Sequence, residues 1–577
     1  MMNSLLLYNN NISPDFVQDF KDSIGETKLF SITNQTLAKE DYSFDSVASE
    51  FLKTLLDKKY EVIFIPINLS IDNYLEFSGL RIGYHIRLTN EFNNQETPIV
   101  FIARESAFEI NKLSFLGAIL SCPQIYMTDK LEIDVFKKQI EFIQSTSKAN
   151  VLKGFLDRIH IKPSGNYTTH HSIANEWSIM RWFKTILKSE IIDYTPDEIE
   201  SIESKINSNL YYKYLTCKFP INNVNGLTVE DLKLKFNGKI LYIDDEKDKG
   251  WNELFCALFY DDLINKVEDY ESFGSEFKEL EKDEIINLSV NKAKDFDLVI
   301  LDFRLTEDDF YESDPKKITG YKILEGIKAH NKGIQVVIFS ATNKVWNLQA
   351  LQDAGADGFI IKESPENSTD AKFTFESITN LIKTIDKCFS LKIKKELVEL
   401  HKSILKNILV DDIDENPRYN FFLKGLLKQA SVIEKSIVLI DFNHPISLDI
   451  TFLSCYNFLE QFRDYYLIEG RDFRYYLGFE ELPLNRITIQ KKSPRILSNG
   501  EFIKNGRNDN PSWFQVMAGL FIDYFNLSSA PFNEVVDLHN MSTSRNRYIH
   551  EDKSSFTIGE IRIIMTLTEL ATRNLKE

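Results

Sequence analysis

Residues 297–305 read DLVILDFRL, a stretch in which four apolar residues run up to Asp302. Residues 61–69 read EVIFIPINL, and the apolar run there is interrupted at Pro66. Short, continuous apolar runs are typical of strands that are buried on both faces of a sheet. The two stretches therefore predict buried strands, and their similarity suggests that the chain contains an internal repeat.

Three further pairs of segments match in the same order along the chain. They are ILYIDDE at 240–246 with LLLYNNN at 5–11, TGYKILEGIK at 319–328 with SGLRIGYHIR at 78–87, and QVVIFSATN at 335–343 with PIVFIARES at 98–106. The offset between matched positions stays within 235 to 241 residues. We therefore predict two copies of one domain, at residues 1–145 and 236–387.

The apolar runs of each copy alternate with helix-like stretches, which predicts an α/β fold. Each copy is expected to be a five-stranded parallel sheet with crossover helices, (βα)5, of the flavodoxin-like kind. Residues 146–235 are expected to form a helical connector. Residues 388–577 contain long helical patterns with a strand-containing insert at about 480–511, which predicts a separate, mainly helical (all-α) domain.

Composition excludes several classes of protein. The 577 residues suggest about four domains, and 68 Lys and Arg against 86 Asp and Glu give a net charge of −18. A chain this acidic is not expected to bind duplex DNA. Its five cysteines are far apart, which excludes a zinc finger and favours a reducing compartment. Since no signal peptide or membrane span is recognisable, we expect a cytoplasmic protein.

The strand ends of the second copy carry polar residues, and ligands of open α/β sheets bind at this edge. These residues are Asp244, Asp245, Asp302, Ser340 and Lys362. Three carboxylates in one crevice repel each other unless a cation such as Mg2+ lies among them. We expect the three aspartates to hold the metal, with Asp302 as the nucleophile that accepts a phosphoryl group. Ser340 is expected to bond a phosphoryl oxygen, and Lys362 to neutralise its charge.

This constellation resembles the receiver domain of two-component response regulators, and the resemblance covers residues 236–387. The 22-residue step from Ser340 to Lys362 and the aromatic Phe359 agree with the family pattern. The resemblance implies that Phe359 is a rotameric switch and that a sensor histidine kinase is the partner. The alternative is an inert α/β sheet with incidental carboxylates.

Two positions of the second copy depart from the family pattern. Residues Thr306–Ile318 lengthen the loop after Asp302 with an acidic insert, and Glu363 replaces the proline that usually follows the lysine. These departures remove no reacting group. They are expected to alter the choice of kinase or the lifetime of the phosphoryl group.

The first copy lacks the reactive residues at the matching positions. Asn9 and Asn10 replace the metal-binding acids, Pro66 replaces the nucleophile, Ala103 the hydroxyl and Thr128 the lysine. The copy resembles a degenerate receiver, which we expect to serve in packing or dimerisation. A ligand site of its own is the alternative.

The connector contains His170 and His171, and His171 would share a helical face with Asn175. A His-x3-Asn pair resembles the phosphoacceptor helices of histidine kinases, but no ATP-binding glycine-rich region accompanies it. The other interpretation is that Trp177 and its neighbours on the helix are core residues.

The C-terminal third contains the motif SRNRYIHEDKSS, with Arg545, Asn546 and His550. Residues five apart on a helix diverge by about 140°, so Arg545 and His550 converge only if the helix ends near Tyr548. An arginine beside an imidazole could cleave RNA, with His550 moving the 2′-hydroxyl proton and Arg545 binding the scissile phosphate.

The motif resembles that of the HEPN (higher eukaryote and prokaryote nucleotide-binding) superfamily. The resemblance implies a metal-independent ribonuclease, without a cofactor at this site, whose active site is composed of two motifs across a homodimer. The alternative is that Arg545 and His550 end a helix and contact Glu551 or Asp552.

A local basic segment provides a possible RNA contact in this acidic chain. Between residues 486 and 507 the only acid is Glu501, and the bases are Arg486, Lys491, Lys492, Arg495, Lys504 and Arg507. A solvated loop that balances acidic neighbours is an equally good interpretation.

These features together predict a response regulator in which phosphorylation of Asp302 controls a ribonuclease, with RNA as substrate. The HEPN resemblance suggests a role in stress response or anti-phage defence. The competing hypothesis is a phosphorylation-controlled dimerising adaptor, or a nucleotide- or partner-binding protein, without ribonuclease activity.

Overall fold

The computed structural model covers the chain in segments. The described residues are 3–30, 40–55, 58–69, 76–145, 150–162, 170–187, 197–220, 227–259, 267–341, 345–364, 371–409, 417–442, 444, 446–469, 475–477, 480–481, 487–490, 493–496, 512–523, 533–550, 554–573 and 575.

The N-terminal sheet has five parallel strands in the order β2-β1-β3-β4-β5. The strands are β1 (Ser4–Tyr8), β2 (Gly25–Leu29), β3 (Ile63–Pro66), β4 (Ile99–Ile102) and β5 (Ile125–Thr128). The helices around them are α1 (Pro14–Ser23), α2 (Glu40–Leu55), α3 (Ser78–Leu88), α4 (Ala107–Leu113) and α5 (Ile133–Gln144). The strand order reverses between β1 and β3, which is where ligands bind in such sheets.

The second sheet repeats this topology, with five parallel strands in the order β10-β9-β8-β6-β7. The strands are β6 (Lys239–Ile243), β7 (Asp269–Phe273), β8 (Leu298–Leu301), β9 (Gln335–Ser340) and β10 (Gly358–Ile361). All four residues of β8 are buried, as expected for a strand covered on both faces. The prediction of two parallel five-stranded sheets with flanking helices is therefore confirmed.

In the described part of the connector, the helices between the two sheets are α6 (Val151–Leu156), α7 (His170–Leu187), α8 (Asp197–Ser208), α9 (Leu210–Lys218) and α10 (Val229–Leu232). The helices of the second sheet follow as α11 (Trp251–Phe259), α12 (Lys282–Ala293), α13 (Thr319–His330), α14 (Val345–Asp353) and α15 (Ala371–Ser390). One hydrophobic core runs from a face of the first sheet through α7–α9 to a face of the second. The connector is thus a packed middle layer between the sheets.

A buried polar cluster joins the first sheet to the connector. The carboxylate of Asp45 on α2 accepts hydrogen bonds from Arg81 at 2.7 Å, from His85 Nε2 at 2.8 Å and from the Leu210 amide at 2.9 Å. Lys213 Nζ lies 3.3 Å from His85 Nδ1. Burial lowers the pKa of His85 to about 4, although the charge of Asp45 opposes this effect. His85 is therefore neutral at neutral pH, donating to Asp45 through Nε2.

The C-terminal third has its own hydrophobic core. Its helices are α16 (Ile393–Ile408), α17 (Pro417–Val438), α18 (Ile446–Tyr466), α19 (Trp513–Asp523), α20 (Asn533–His550) and α21 (Ile558–Arg573). Short antiparallel strands lie between α18 and α19: β11 (Leu467–Glu469), β12 (Tyr475–Leu477), β13 (Glu480–Glu481), β14 (Ile487–Gln490) and β15 (Ser493–Ile496). They begin directly after α18, earlier in the chain than the predicted insert.

The predicted domain limits remain predictions. The second copy was expected to end at residue 387, whereas α15 continues to Ser390. Among the described residues, no helix is long and apolar enough to cross a lipid bilayer.

The His85 cluster predicts a pH dependence of stability. Between about pH 6.5 and pH 4 the unfolded chain protonates this imidazole while the folded chain does not. The free energy of unfolding should therefore fall by up to about 3 kcal/mol over that range. Denaturant titrations of the native chain, His85→Gln and His160→Gln measure this effect. The exposed His160 is the control, and an equal pH slope in His85→Gln and the native chain would contradict the prediction.

Candidate functional site at the edge of the second sheet

The sequence-predicted acids and lysine meet at the carboxyl edge of the second sheet. Asp244 directly follows β6, Asp302 follows β8 and Lys362 follows β10, because parallel strands all end at the same edge. Ligand oxygens of Asp244, Asp245 and Asp302 lie within 4.8 Å of one another. Ser340, the last residue of β9, is buried at the same edge.

Lys362 bridges two of the carboxylates. Its Nζ donates to Asp244 Oδ2 at 2.6 Å and to Asp302 Oδ2 at 2.8 Å, and all three side chains are buried. Burial opposes the charge on Lys362, but the two aspartates outweigh it and raise the pKa of the lysine. The rings of Trp251 and Phe339 lie 5.9 and 5.1 Å from Nζ and add favourable cation–π contacts.

Other hydrogen bonds orient the two buried carboxylates. Asp244 accepts from the Tyr242 hydroxyl at 2.6 Å and from the Glu246 amide at 2.7 Å. Asp302 Oδ1 accepts from the Phe303 amide at 2.6 Å. These contacts hold the carboxylates towards the common pocket and the lysine.

The arrangement fits a hard divalent cation. Clustered carboxylate oxygens are the ligands that Mg2+ prefers, and Asp244, Asp245 and Asp302 supply them from two adjacent strand ends. Lys362 offsets part of the negative charge, so a bound cation and the lysine would share that role.

A glycine allows helix α13 to approach the site. A Cβ on Gly320 would lie 2.5 Å from the carbonyl oxygens of Asp302 and Phe303. In the first copy, a Cβ on Gly79 would lie 1.8 Å from the carbonyl oxygen of Pro66. The repeated glycine therefore has the same steric cause in both copies.

Asp309, within the acidic insert, is a structural residue that sequence analysis missed. It is fully buried, and its carboxylate accepts from the Thr319 amide and hydroxyl at 3.0 Å, the Leu305 amide at 3.0 Å and Lys282 Nζ at 3.0 Å. The insert is thus tied to the start of α13. The Thr-x2-Asp capping pattern that begins at Thr306 is the sequence feature that indicates this role of Asp309.

Phe359 in β10 and Glu363, which follows Lys362, have different environments. Phe359 is half-buried, pairs with Ile338 and packs against the second sheet's core; its switch role stays a prediction. Glu363 is fully buried and forms an ion pair with Arg181 of α7, with 2.5 Å between Oε1 and Nε. Arg181 carried no sequence signal, because its partner lies 182 residues away.

The first copy places polar amides where the second has carboxylates. The Gly79 amide donates to the carbonyl oxygen of Ile67 at 3.0 Å, as the Gly320 amide donates to that of Phe303 at 3.1 Å. Pro66, the residue before Ile67, therefore occupies the position of Asp302 and supplies no carboxylate. An open crevice of about 600 Å3 remains at this edge. Residues lining it include Asn9, Asn11, Pro66, Ala103, Arg104 and Asp129.

The structure contradicts the expected convergence of Arg545 and His550 within one chain. Helix α20 continues through Tyr548 to His550, so the two side chains point about 140° apart. Within this helix the Tyr548 hydroxyl donates to Asp449 of α18 at 3.1 Å. The Arg545 guanidinium lies 5.4 Å from the Tyr456 ring, while Asn546 and His550 are exposed.

Most of the predicted basic patch lies outside the described residues. This holds for Arg486, Lys491, Lys492, Lys504 and Arg507. The exception is the backbone of Arg495, which belongs to β15 and pairs with Thr488.

His170 and His171 begin α7, but their side chains are not among those described. Asn175 is buried, accepts from Trp251 Nε1 at 3.2 Å and donates to Glu246. Trp177 is also fully buried. These contacts favour the interpretation of this helix as core.

Replacing Lys362 with Met should test the charge balance of the pocket. The variant leaves two buried carboxylates without their counter-charge, and we expect a loss of about 3–5 kcal/mol in unfolding free energy. Millimolar Mg2+ should restore part of the loss, as measured by denaturant titration.

The matched control for that variant is Lys328→Met, which removes the Nζ contact to Asp357 at 2.6 Å away from the acid cluster. Mg2+ should not rescue this control. An equal response of both variants to Mg2+ would contradict metal binding by the cluster.

Comparison with known proteins gives a partial match. Residues 18–128 match the family described as iREC, Inactive Receiver domain. A relative, "Probable translation initiation factor IF-2" of Natronomonas pharaonis, is 24% identical over 181 residues, which are 31% of this chain and 27% of the relative.

Among solved structures, two crystal structures of NtrX from Brucella abortus are similar to parts of the chain. One covers 35% of this chain and 40% of its own, with 16% identity and a TM-score of 0.19. The other, a complex with ATP, covers 33% and 34%, with 18% identity and a TM-score of 0.19. The chain thus spans well under half the length of each of these proteins. The match of residues 18–128 to inactive receiver domains supports the prediction that the N-terminal copy is a degenerate receiver.

Proposed function

We propose that the second sheet is a phosphoacceptor receiver in which Asp302 accepts a phosphoryl group. The observation that carries this proposal is the buried contact of Lys362 with both Asp244 and Asp302 at the carboxyl edge of the sheet. This pocket lies between β6 and β8, where the strand order reverses. The inactive receiver earlier in the same chain supports the assignment, since both sheets have the same strand order.

In the proposed reaction, a lone pair on the Asp302 carboxylate forms a bond to the phosphorus of the donor. The bond from phosphorus to the leaving group breaks, and its electron pair departs with that group. Lys362 compensates the added negative charge, and the Ser340 hydroxyl donates to a phosphoryl oxygen. Mg2+ held by the aspartates would supply further charge neutralisation.

The natural donor in this proposal is the phosphohistidine of a sensor histidine kinase. The insert begins four residues after Asp302 and is anchored by Asp309, and we expect such a kinase to meet it on the way to Asp302. Partner choice would then depend on this insert.

The output in this proposal is RNA cleavage by the C-terminal helices, with Arg545 and His550 as the acting residues. Because one helix separates them by about 140°, a working pair must combine Arg545 of one chain with His550 of another. Dimerisation would then be the step that phosphorylation controls. A role in defence rests on the HEPN resemblance.

A dimerising adaptor without nuclease activity is the second candidate, and exposed apolar side chains favour it. Phe108, Leu113 and Phe115 of the first copy are 67%, 60% and 59% exposed. In the C-terminal third, Leu439 and Ile446 are 68% and 67% exposed. Exposed apolar groups of this kind are typical of protein–protein contacts.

Phosphorylation of Asp302 is testable with a small acyl phosphate donor and Mg2+. Intact mass should show one added phosphoryl group on the native chain and none on Asp302→Asn, because the amide is not a nucleophile. Asp308→Asn, in the exposed part of the insert, is the matched control and should be modified normally. EDTA should prevent the modification, and equal labelling of Asp302→Asn and the native chain would sink the proposal.

The composite nuclease is testable by complementation. Arg545→Ala and His550→Ala should each lose cleavage of single-stranded RNA in EDTA. Co-expression of the two variants should restore about a quarter of native activity, since half of the dimers carry one intact site of two. No cleavage by the phosphorylated or unphosphorylated native chain would leave the adaptor as the better hypothesis.

A further inference from the structure

Helix α7 of the connector reaches the acid side of the phosphoacceptor pocket. The side-chain amide of Asn175 donates to the carboxylate of Glu246, which directly follows Asp245 in the chain. The carbonyl oxygen of Asn175 accepts from Trp251 Nε1 at 3.2 Å. The Trp251 ring in turn lies 5.9 Å from Lys362 Nζ. One buried amide therefore contacts two residues that border the pocket.

The same helix reaches the lysine side of the pocket through Arg181. Its Nε donates to Glu363 Oε1 at 2.5 Å, its Nη2 to the Thr374 hydroxyl at 3.1 Å, and its Nη1 to the carbonyl oxygen of Phe219. Thr374 also donates to Glu363 Oε2 at 2.8 Å. Glu363 is joined by a peptide bond to Lys362. Arg181, Glu363 and Thr374 are all fully buried.

The buried contacts of Arg181 with Glu363 and Thr374 resist displacement. A buried arginine with several acceptors holds its geometry, because a displaced partner would leave charge without compensation in a medium of low dielectric constant. A phosphoryl group on Asp302 would give the Lys362 ammonium new oxygens to bind. A resulting shift of the Lys362 backbone would be passed through the peptide bond to Glu363. Because the side chains of Arg181 and Glu363 are inaccessible to solvent, a movement of Glu363 would act directly on Arg181.

We propose that connector helix α7 senses the phosphorylation state of Asp302 through two buried contacts, Arg181 with Glu363 and Asn175 with Glu246. The proposal rests on the phosphoacceptor function proposed above. Arg181 and Asn175 are positioning residues in this scheme: they touch neighbours of the reacting groups and not the groups themselves. Glu363, which departs from the family pattern, supplies the acceptor that makes the contact with Arg181.

The remaining contacts of α7 lead to the first copy. Glu176 accepts from Lys205 of α8 and from the Tyr212 hydroxyl of α9. Lys213, next along α9, donates to the Ser49 hydroxyl on α2 at 2.9 Å. A displacement of α7 is thereby passed to the helices on which the inactive receiver packs.

The test is hydrogen–deuterium exchange of the full chain, with and without the acyl phosphate donor and Mg2+. On phosphorylation, we expect the exchange rates of amides in residues 170–187 to change by about threefold or more. A change of this size corresponds to the lower part of the range of coupling energies in packed residue networks. Asp302→Asn should show no change. Intact mass in each sample reports the phosphorylated fraction.

The decisive variant removes both charges, Arg181→Met with Glu363→Met, because Arg181→Met alone would leave a buried carboxylate without its partner. The double variant should still be phosphorylated, while the donor-induced change in residues 170–187 is lost. Glu363→Gln keeps an acceptor for Arg181 and should retain the change. Lys184→Met, also on α7, removes a partly exposed contact to Glu203 of α8 and should retain the change.

The outcomes separate the two proposals. If the native chain takes no phosphoryl group, the phosphoacceptor function fails and the sensing role falls with it. If the native chain is phosphorylated but exchange in 170–187 stays constant, only the sensing role is overturned. Persistence of the change in the double variant would also overturn it.

Discussion

The ammonium of Lys362, bound between the carboxylates of Asp244 and Asp302, is the interaction on which the second sheet and its site both depend. A buried charge is tolerated only with close counter-charges. Here the two aspartates follow β6 and β8, and the lysine follows β10. The parallel arrangement is what brings those strand ends together. The fold therefore makes the charge cluster possible, and the cluster links the carboxyl ends of β6, β8 and β10.

The connector helices turn two similar sheets into one packed body. They share a continuous apolar core with a face of each sheet, and buried polar contacts lie at both boundaries. Asp45 and His85 join the connector to the first sheet, and Arg181 and Glu363 join it to the second. Because these polar groups are buried with their partners, the relative orientation of the layers is specific.

The two copies show which features of this fold depend on the acids and the lysine of the site and which do not. Both have the same strand order, and both use a glycine, Gly79 or Gly320, where a helix meets the edge of the sheet. Only the second retains the acids and the lysine. Apolar runs and close backbone contacts thus suffice for the fold, which explains how the first copy has the same sheet without the acids and the lysine.

The sequence by itself determined the repeat, the two parallel sheets and the strand-end residues that the structure brings together, since short apolar runs and crossover spacing are local patterns. It did not determine the position of Arg545 relative to His550, because the local sequence does not specify where α20 ends, and Tyr548 has a partner, Asp449, that is remote in the chain. It did not reveal Asp309 as an anchor or Arg181 as the partner of Glu363. Buried polar groups take partners that are remote in the chain, and only tertiary packing decides which polar groups are buried in contact with each other.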